Sequence, residues 1–406
     1  MTTHVIGAGL AGLAAALAAR GRVVVHEAAP LAGGRARALA DGLDNGTHAL
    51  VGANRAALGF LREIGARDGW VEPEPGGLPV LDMVDGRARR VALSPLGWWR
   101  RDRRPDGAGV RALGALLRLA GPGDVAVAEA MAGHPAFLRG FVEPLVIAAL
   151  NTPVAEASSR KLGAVLRRVG APGAARLLVA RRGLGPDLVE PALAALRARG
   201  VEIRPGARLR GLRTGEDERV IALEFGDGTL ALGDGDTVVL AVPPWEAARL
   251  LPGLPVPVAH APILNLHFDH RTPPDGKGGP VRFLGVLGGL CQWVLVRPDT
   301  VAVTVSAADA EAREATEDLA PRAWAEIRAL AAAFDLPGEW PDVPPPCRAV
   351  KEKRATPRHR PGDPAPPPVL VLPNLALAGD WMEPVLPATI DAAVRSGRRA
   401  ARALAG

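Results

Sequence analysis

Apolar and polar positions follow regular patterns along this chain, and the clearest pattern lies at the N-terminus. Residues 3–6 and 23–26 are short segments rich in β-branched residues, and between them lies a longer Ala/Leu-rich stretch, residues 10–19, which Gly21 closes. Short apolar runs are typical of buried strands, whereas a longer apolar stretch that ends at glycine favours a helix. The first 26 residues therefore predict a β–α–β unit.

Later regions repeat the strand pattern and would extend the same sheet. Strand-like segments occur at residues 201–213 and 237–242, and a last one at 375–378 precedes a helix predicted at 388–405. Strands that alternate with helices are the pattern of an α/β fold with a parallel sheet. We therefore predict a Rossmann-like nucleotide-binding domain. It comprises residues 1–80, 186–250 and 346–406.

The intervening segments predict an inserted α+β domain for the substrate, which comprises residues 81–185 and 251–345. In the first segment apolar residues recur every three to four positions, which is typical of helices. Its helices are predicted at 110–120, 135–150 and 158–169. In the second segment, strands are predicted at 263–268, 294–296 and 301–306 and a helix at 321–334. Pro- and Gly-rich stretches predict surface loops at 271–280 and 357–368.

The charge balance narrows the class of protein. The net charge is +6, and only four of the 49 basic residues are lysine, so the excess is almost entirely arginine. The arginines are spread along the chain among carboxylates, whereas a nucleic-acid surface would cluster them with stacking aromatics. We therefore expect no nucleic-acid partner. A weak attraction to anionic membranes stays open.

Cysteine content and hydropathy set the expected compartment. Cys291 and Cys347 are too few for a disulfide framework, and no CxxC or His/Cys pairing suggests a metal site, so no metal is expected. No apolar stretch approaches the roughly 20 residues that span a bilayer. The N-terminal glycines belong to a motif rather than to a signal peptide. The chain is expected in the reducing cytoplasm, with peripheral contact at the inner face of the membrane left open.

A glycine-rich turn gives the first chemical indication. Gly7, Gly9 and Gly12 form a G-x-G-x-x-G sequence between the predicted strand and helix. The first glycine permits a tight turn, the second lets a pyrophosphate approach the backbone, and the third permits close packing of helix on strand. Glu27 ends the second strand, where a carboxylate accepts hydrogen bonds from ribose hydroxyls. Together these features predict a dinucleotide ligand.

The residues after Glu27 separate NAD from FAD. Gly33, Gly34 and Arg35 follow in the form E-x5-G-G-R, which resembles the flavin amine oxidase superfamily. The resemblance implies that the cofactor is FAD, that the whole fold is flavin amine oxidase-like, and that Arg35 approaches the FAD phosphates. Other matching positions that would contact the cofactor are Gly46, His48, Val242, Gly379, Asp380, Pro387 and Thr389.

Three of these positions carry particular roles in the resemblance. Asp380 would bond the ribityl or phosphate region of FAD, and a helix starting near Thr389 would direct its N-terminal amides at the N1–C2 edge of the flavin. His48 would lie beside the flavin ring, although a hydrogen-bonded structural histidine is an equal alternative.

The branch of the superfamily is indicated by the absence of tyrosine and by several short segments that match one group of its members. The chain contains no tyrosine, and Thr389 stands where the superfamily's amine oxidases place an aromatic-cage tyrosine, which disfavours amine oxidation. Segments that instead resemble the hydroxysqualene dehydroxylases lie at residues 150–158, 241–245, 292–293, 303–309, 350–356 and 378–390. This resemblance implies FAD-dependent reduction of hydroxysqualene, a C30 isoprenoid allylic alcohol, to squalene, a precursor of hopanoids and other triterpenoids.

Two alternatives fit a similar fold. A carotenoid-type polyprene desaturase or isomerase would move hydride in the opposite direction, and a prenyl-lipid carrier would bind the chain without flavin chemistry. The electron donor that reduces FAD is unidentified, because the sequence holds no second dinucleotide fingerprint.

Loss of a hydroxyl as water requires a proton donor. The candidates are His48, Asp44, Lys351, Glu352 and Lys353, with His48 and Lys351 placed first. Lys351 and Lys353 are two of only four lysines in the chain, and both lie in the run at residues 351–354, which favours a role for a compact ammonium group there. A solvated strand edge explains the same pattern.

A tryptophan pair, Trp98 and Trp99, precedes an arginine cluster at residues 100–104. Such a combination can seat a monotopic protein at a bilayer interface, where a C30 substrate would reside. A buried tryptophan pair beside a solvated turn is the alternative.

Overall fold

The structure is a computed structural model that describes residues 1–39, 41–273 and 281–405. Most of the loop predicted at 271–280 lies outside the described residues. The described residues form eleven α-helices: α1 (Leu10–Ala18), α2 (Arg55–Glu63), α3 (Val110–Arg118), α4 (Val127–Ala130), α5 (Pro135–Phe137), α6 (Glu143–Leu150), α7 (Ser159–Val169), α8 (Glu190–Ala198), α9 (Pro244–Leu250), α10 (Thr316–Ala333) and α11 (Ile390–Ala403).

Nineteen strands occur in the same described ranges. They are β1 (Thr2–Ile6), β2 (Arg22–His26), β3 (Ala49–Val51), β4 (Trp70–Val71), β5 (Leu78–Asp82), β6 (Ala88–Val91), β7 (Leu177–Ala180), β8 (Glu202–Arg204), β9 (Leu209–Thr214), β10 (Val220–Phe225), β11 (Gly228–Ala231), β12 (Thr237–Leu240), β13 (His260–Phe268), β14 (Arg282–Leu287), β15 (Trp293–Arg297), β16 (Thr300–Ser306), β17 (Cys347–Pro357), β18 (Leu370–Leu372) and β19 (Leu375–Leu377).

The first sheet confirms the α/β prediction. Its six strands have the order β18-β19-β12-β1-β2-β8, and β1 pairs in parallel with both β2 and β12. Helix α1 joins β1 to β2, as the N-terminal pattern predicts. Helix α11 lies directly against α1, because a Cβ at Gly397 would overlap the carbonyl oxygen of Ala11. The two ends of the chain therefore build one layer of this domain.

The second sheet has seven strands in the order β17-β13-β16-β15-β14-β5-β6. Helix α10 covers one face, with Leu319, Trp324 and Ile327 buried in the shared core. Helices α3, α6 and α7 contribute to the core on the opposite face, as the predicted helical insertion requires. Strand β17 belongs to this sheet, although the proposed boundaries assign it to the nucleotide-binding segments.

Asn151 fastens the helical insertion to the second sheet. It follows α6 in the left-handed conformation, with φ +48°. Its side-chain amide donates to the carbonyl of Ala261 and to the Thr356 hydroxyl, and its carbonyl accepts from the backbone N–H of Ala307 at 2.6 Å. Asn151 is buried, so each of these groups would lack a partner without it.

Replacing Asn151 by alanine is expected to destabilise the fold by about 3 kcal/mol. The substitution leaves buried polar groups without hydrogen-bond partners. It also puts alanine in the left-handed region, which asparagine tolerates better because its side chain forms local hydrogen bonds. Asn151→Gly loses the same hydrogen bonds but accepts the positive φ, so it should be less destabilising by about 1 kcal/mol. Thermal unfolding followed by circular dichroism measures both. Equal melting temperatures for wild type and Asn151→Ala would contradict the anchoring role.

Candidate active site

One large cavity joins the two sheets. Its volume is about 1130 Å³, and its lining runs from the glycine-rich turn, through residues 45–51, to the insertion helices α3, α6 and α7. Gly9 and Glu27 line one part, and Leu113, Leu117 and Val165 line another. The cavity therefore combines a nucleotide-like cradle with a long aliphatic compartment.

The three glycines of the turn have different physical requirements. Gly7 has φ +103°, and a Cβ there would overlap the carbonyl oxygen of Ala241, while a Cβ at Gly12 would overlap the carbonyl oxygen of Gly7. At Gly9 the nearest atom to an added Cβ is the Cα of Gly34, at 4.0 Å. Because Gly9 lines the cavity and immediately precedes α1, its missing side chain leaves room for a group at the helix N-terminus. A pyrophosphate fits this cradle.

Glu27 is held at the end of β2 beside that turn. One carboxylate oxygen accepts from the backbone N–H of Ala8 at 2.6 Å, and the other accepts from Ala29 at 2.8 Å. These two amides fix the orientation of the carboxylate at the cavity wall. Its remaining lone pairs are the acceptors that ribose hydroxyls would use.

Arg35 and Asp380 join the first and last segments of the chain. Gly33 and Gly34 precede Arg35 with φ +106° and +58°, and Arg35 Nη2 lies 2.7 Å from Asp380 Oδ1. Burial opposes the guanidinium charge, but the adjacent Asp380 carboxylate raises the pKa of Arg35 above its ordinary value. Arg35 also donates to the carbonyl of Ala355 in β17. The predicted phosphate-facing arginine is therefore fixed at the junction of both sheets.

The N-terminus of α11 faces the cavity as well. Thr389 caps the helix by accepting from the backbone N–H of Ala392 at 3.2 Å, and Pro387 and Thr389 both line the cavity. Val242 lines it too, and its carbonyl accepts from Trp381 Nε1 at 3.1 Å. Gly379 completes this wall.

His359 positions the loop before α11 and was missed by sequence reasoning. Its Nε2 accepts from the backbone N–H of Ala388 at 3.0 Å. Burial, reinforced by the charge of Lys161, lowers the pKa of His359 to about 3, so the ring is a neutral acceptor. The Pro/Gly-rich composition of residues 357–368 predicts a surface loop, but His359 is buried at its start. No sequence pattern predicts the hydrogen bond between His359 and Ala388.

Asn265 was also missed, and it holds the 45–48 segment against the sheet. Its carbonyl oxygen accepts from the Thr304 hydroxyl at 2.8 Å and from the backbone N–H of Thr47 at 3.3 Å. Its amide donates to the carbonyl of Asn45 at 3.4 Å. The signal in the sequence is an amide side chain between two leucines of a predicted strand, where a buried polar group requires partners.

His48 lies in the cavity wall between these two groups of residues. Its Nδ1 lies 3.1 Å from the carbonyl oxygen of Gly46, which fixes Nδ1 as the protonated nitrogen because a carbonyl can only accept. Nε2 is the remaining nitrogen. Burial lowers the pKa of His48 below its usual value, so the neutral ring predominates at pH 7.

The other candidate proton donors are separated by the alternation of β17. Glu352 pairs with Ile263, and both line the cavity. Lys351 pairs with Leu264, which belongs to the core on the α10 face, and its ammonium donates to the carbonyl of Glu314. Lys353 is exposed. The structure therefore brings Glu352, and neither lysine, to the cavity with His48.

Asp44 has a structural partner instead. Its Oδ1 accepts from the backbone N–H of Leu184 at 2.7 Å, and its Oδ2 pairs with Arg297 at 3.2 Å. Both charged groups are largely buried, and Asp44 is not among the cavity-lining residues. Its role is to fasten the start of the 44–48 segment.

The fold and the cradle define the class of protein, and comparison with known proteins agrees. Residues 10–405 match the family described as flavin containing amine oxidoreductase, and the chain belongs to that family. Its cofactor is FAD and it is an FAD-dependent oxidoreductase, as the sequence predicts. Cyclohexylamine oxidase from Brevibacterium oxydans has the same fold, with a TM-score of 0.71 and 17% identity, over 100% of this chain and 98% of that chain.

Within the family, the chain is similar over almost its full length to relatives that all carry the same enzyme name. Hydroxysqualene dehydroxylase of Rhodopseudomonas palustris is 41% identical, over 98% of this chain and 97% of that protein. Hydroxysqualene dehydroxylase of Zymomonas mobilis is 34% identical, over 98% of both chains. The resemblance inferred from separate segments is thus confirmed along the whole sequence.

Proposed function

We propose that this enzyme removes the hydroxyl group of hydroxysqualene and gives squalene. The observation that carries the proposal is the aliphatic compartment that continues from the flavin cradle, together with the 41% identity to a hydroxysqualene dehydroxylase. Phe283, Leu113, Leu116 and Leu145 are among the apolar side chains that would surround a C30 isoprenoid. Burial of such a chain away from water supplies the binding energy.

The reaction replaces a C–O bond by a C–H bond. The hydroxyl oxygen takes a proton and leaves as water with the bonding electron pair, and the allylic carbon that remains accepts a hydride. FAD, when bound in its reduced form, supplies that hydride. The chain itself must hold the substrate, keep water from the electron-deficient carbon, and deliver the proton to the departing oxygen.

The polar strip of the cavity offers groups for the hydroxyl end of the substrate. Asn265, Thr304 and Ser306 line the cavity on the face of the second sheet opposite α10. His48 lies on the adjacent 45–48 segment, and its Nδ1–H is engaged by the carbonyl of Gly46. We assign proton delivery to the imidazolium form of this ring, which carries a second proton at Nε2 that can pass to the departing oxygen. Glu352 is the second group on this wall that can carry a proton.

Anaerobic incubation of the chemically reduced holoenzyme with hydroxysqualene should yield squalene in a single turnover, and the oxidised enzyme should yield none. Extraction and mass spectrometry of the isoprenoid measure the product. Phytoene offered to the oxidised enzyme is the matched control for a desaturase. Desaturated phytoene, or hydroxysqualene bound but unchanged by the reduced enzyme, would overturn the proposal in favour of a desaturase or a carrier.

We also propose two partners that the reaction requires. An external donor must reduce FAD between turnovers, since each product consumes two electrons. A lipid surface must supply the substrate, because a C30 isoprenoid partitions into bilayers. Peripheral contact of the protein with the inner face of the membrane would bring it to that substrate. No helix within the described residues is long and apolar enough to cross a membrane.

A further inference from the structure

Helix α3 and the segment before it expose an unusual set of apolar side chains. Val110 and Leu117, seven residues apart on the same face of α3, are 91% and 67% exposed. Trp99 is 78% exposed and Leu96 is 63% exposed. Trp98 is instead buried, with its ring against Phe137 and Phe141, so the tryptophan pair divides into one core residue and one surface residue.

The same surface carries a local excess of basic residues. Residues 93–120 and 159–173 contain ten basic and two acidic residues, a balance of +8 against +6 for the whole protein. Within the described residues, Arg111, Arg118 and Arg168 form no ion pair with a carboxylate. The excess of basic residues here includes the arginine cluster at residues 100–104, whereas elsewhere along the chain arginines are interspersed with carboxylates.

The long cavity reaches this surface. Leu113, Leu116 and Leu117 of α3 line the cavity, as do Arg167 and Arg168 at the end of α7. Leu117 both lines the cavity and is largely exposed, which places it at the mouth. The C-terminal end of α3 is in direct contact with α7, since a Cβ at Gly163 would overlap the carbonyl oxygen of Leu119, the residue that follows α3.

We propose that α3, residues 96–104 and the C-terminal end of α7 dock on an anionic bilayer, and that the substrate enters the cavity from the lipid between α3 and α7. The identity of the substrate rests on the proposed function, whereas the docking does not. Arginines beside exposed aromatic and aliphatic side chains are suited to lipid phosphates and to the acyl boundary below them. An acidic protein would satisfy the arginines but would leave this apolar stripe in water.

Vesicle flotation tests the docking surface. The holoenzyme should float with vesicles of phosphatidylcholine and phosphatidylglycerol, and Trp99→Ser/Val110→Ser should reduce binding about tenfold, because two large apolar groups no longer enter the bilayer. Val258→Ser/Val343→Ser is the matched control, since these valines are 90% and 75% exposed elsewhere and should leave binding unchanged. Arg111→Gln/Arg118→Gln should weaken binding to the anionic vesicles specifically. No flotation of wild type, or equal losses in both apolar pairs, would overturn the proposal.

A fluorescent label tests the position of the mouth. Leu117→Cys would carry an environment-sensitive dye, because Cys291 is buried and burial raises the pKa of Cys347 to about 11, so both native thiols react slowly. Anionic vesicles should shift the dye emission to the blue at Leu117→Cys and not at Val258→Cys. An unshifted spectrum at Leu117→Cys for bound protein would overturn the assignment of the mouth.

Activity separates the docking from the reaction. Trp99 and Val110 do not line the cavity, so their double variant should convert detergent-dispersed hydroxysqualene at the wild-type rate and vesicle-embedded hydroxysqualene about tenfold more slowly. If wild type forms no squalene in detergent, the proposed function fails while flotation still decides the docking. An equal rate of the variant on both preparations would contradict entry from the bilayer.

Discussion

Replacing Gly9 by valine is expected to give a folded protein that does not retain FAD. Nothing but the Cα of Gly34 lies within 4.0 Å of an added Cβ, and Gly9 itself has an ordinary extended conformation, so the apoprotein should tolerate the side chain. The valine would occupy the space through which a pyrophosphate reaches the amides of α1. Loss of two charge-assisted hydrogen bonds of about 1.5–3 kcal/mol each lowers the affinity at least about 100-fold.

Flavin absorbance after gel filtration and titration of the apoprotein with FAD measure this effect. Gly226→Val is the matched control, because an added Cβ there also meets open space and Gly226 is not among the cavity-lining residues. Gly12→Ala should behave in the opposite way and reduce folded yield, since its Cβ would overlap the carbonyl of Gly7. A yellow Gly9→Val protein with wild-type affinity would show that the pyrophosphate does not lie at this turn.

The nucleotide-binding half was predictable because its signals are local. A tight turn requires glycine at position 7, and close packing of the helix on the strand requires it at position 12. Both glycines therefore lie within six consecutive residues, where a sequence motif can reveal them. Helix and strand periods then place β1, α1 and β2 to within one residue of their observed ends. Elements whose physical cause lies within a few neighbours can be read from one sequence.

Helix α10 shows where a local rule fails. Pro321 predicts a helix start, because proline favours the first turn and interrupts the interior. The observed helix begins five residues earlier at Thr316, with Glu317 and Asp318 in its first turn and Pro321 inside it. The lost backbone donor is offset by packing of Leu319 and Trp324 on the second sheet, which no local pattern reveals.

The polar wall of the cavity was hardest to predict, because distant segments build it. Asn265 acts on residues more than 200 positions away, and the face on which Lys351 lies depends on the register of β17 with β13. That register shifts between Ala261 and Ile263, and a shift of one residue would exchange the two faces. The composition of the lysine run could therefore not decide which side chain meets the cavity.

Replacing His48 by glutamine is expected to slow squalene formation by about 10²–10⁴-fold in a single turnover, since a positioned proton donor contributes about that factor. The donor is the protonated ring, and burial holds the pKa of His48 below its usual value of 6.5. The protonated fraction therefore grows as the pH falls through the acidic range. The wild-type rate should rise as the pH is lowered below neutrality, and the His48→Gln rate should lose that dependence.

Rapid mixing of reduced enzyme with hydroxysqualene at a series of pH values, with FAD content and circular dichroism checked for each variant, makes this measurement. Lys351→Gln and Lys353→Gln are matched controls: neither side chain reaches the cavity, so both should keep the wild-type rate and pH profile. The variant Glu352→Gln tests whether Glu352, rather than His48, delivers the proton. If it abolishes the pH dependence while His48→Gln keeps it, the proton is delivered by Glu352, and the histidine serves only to hold Gly46 beside the flavin.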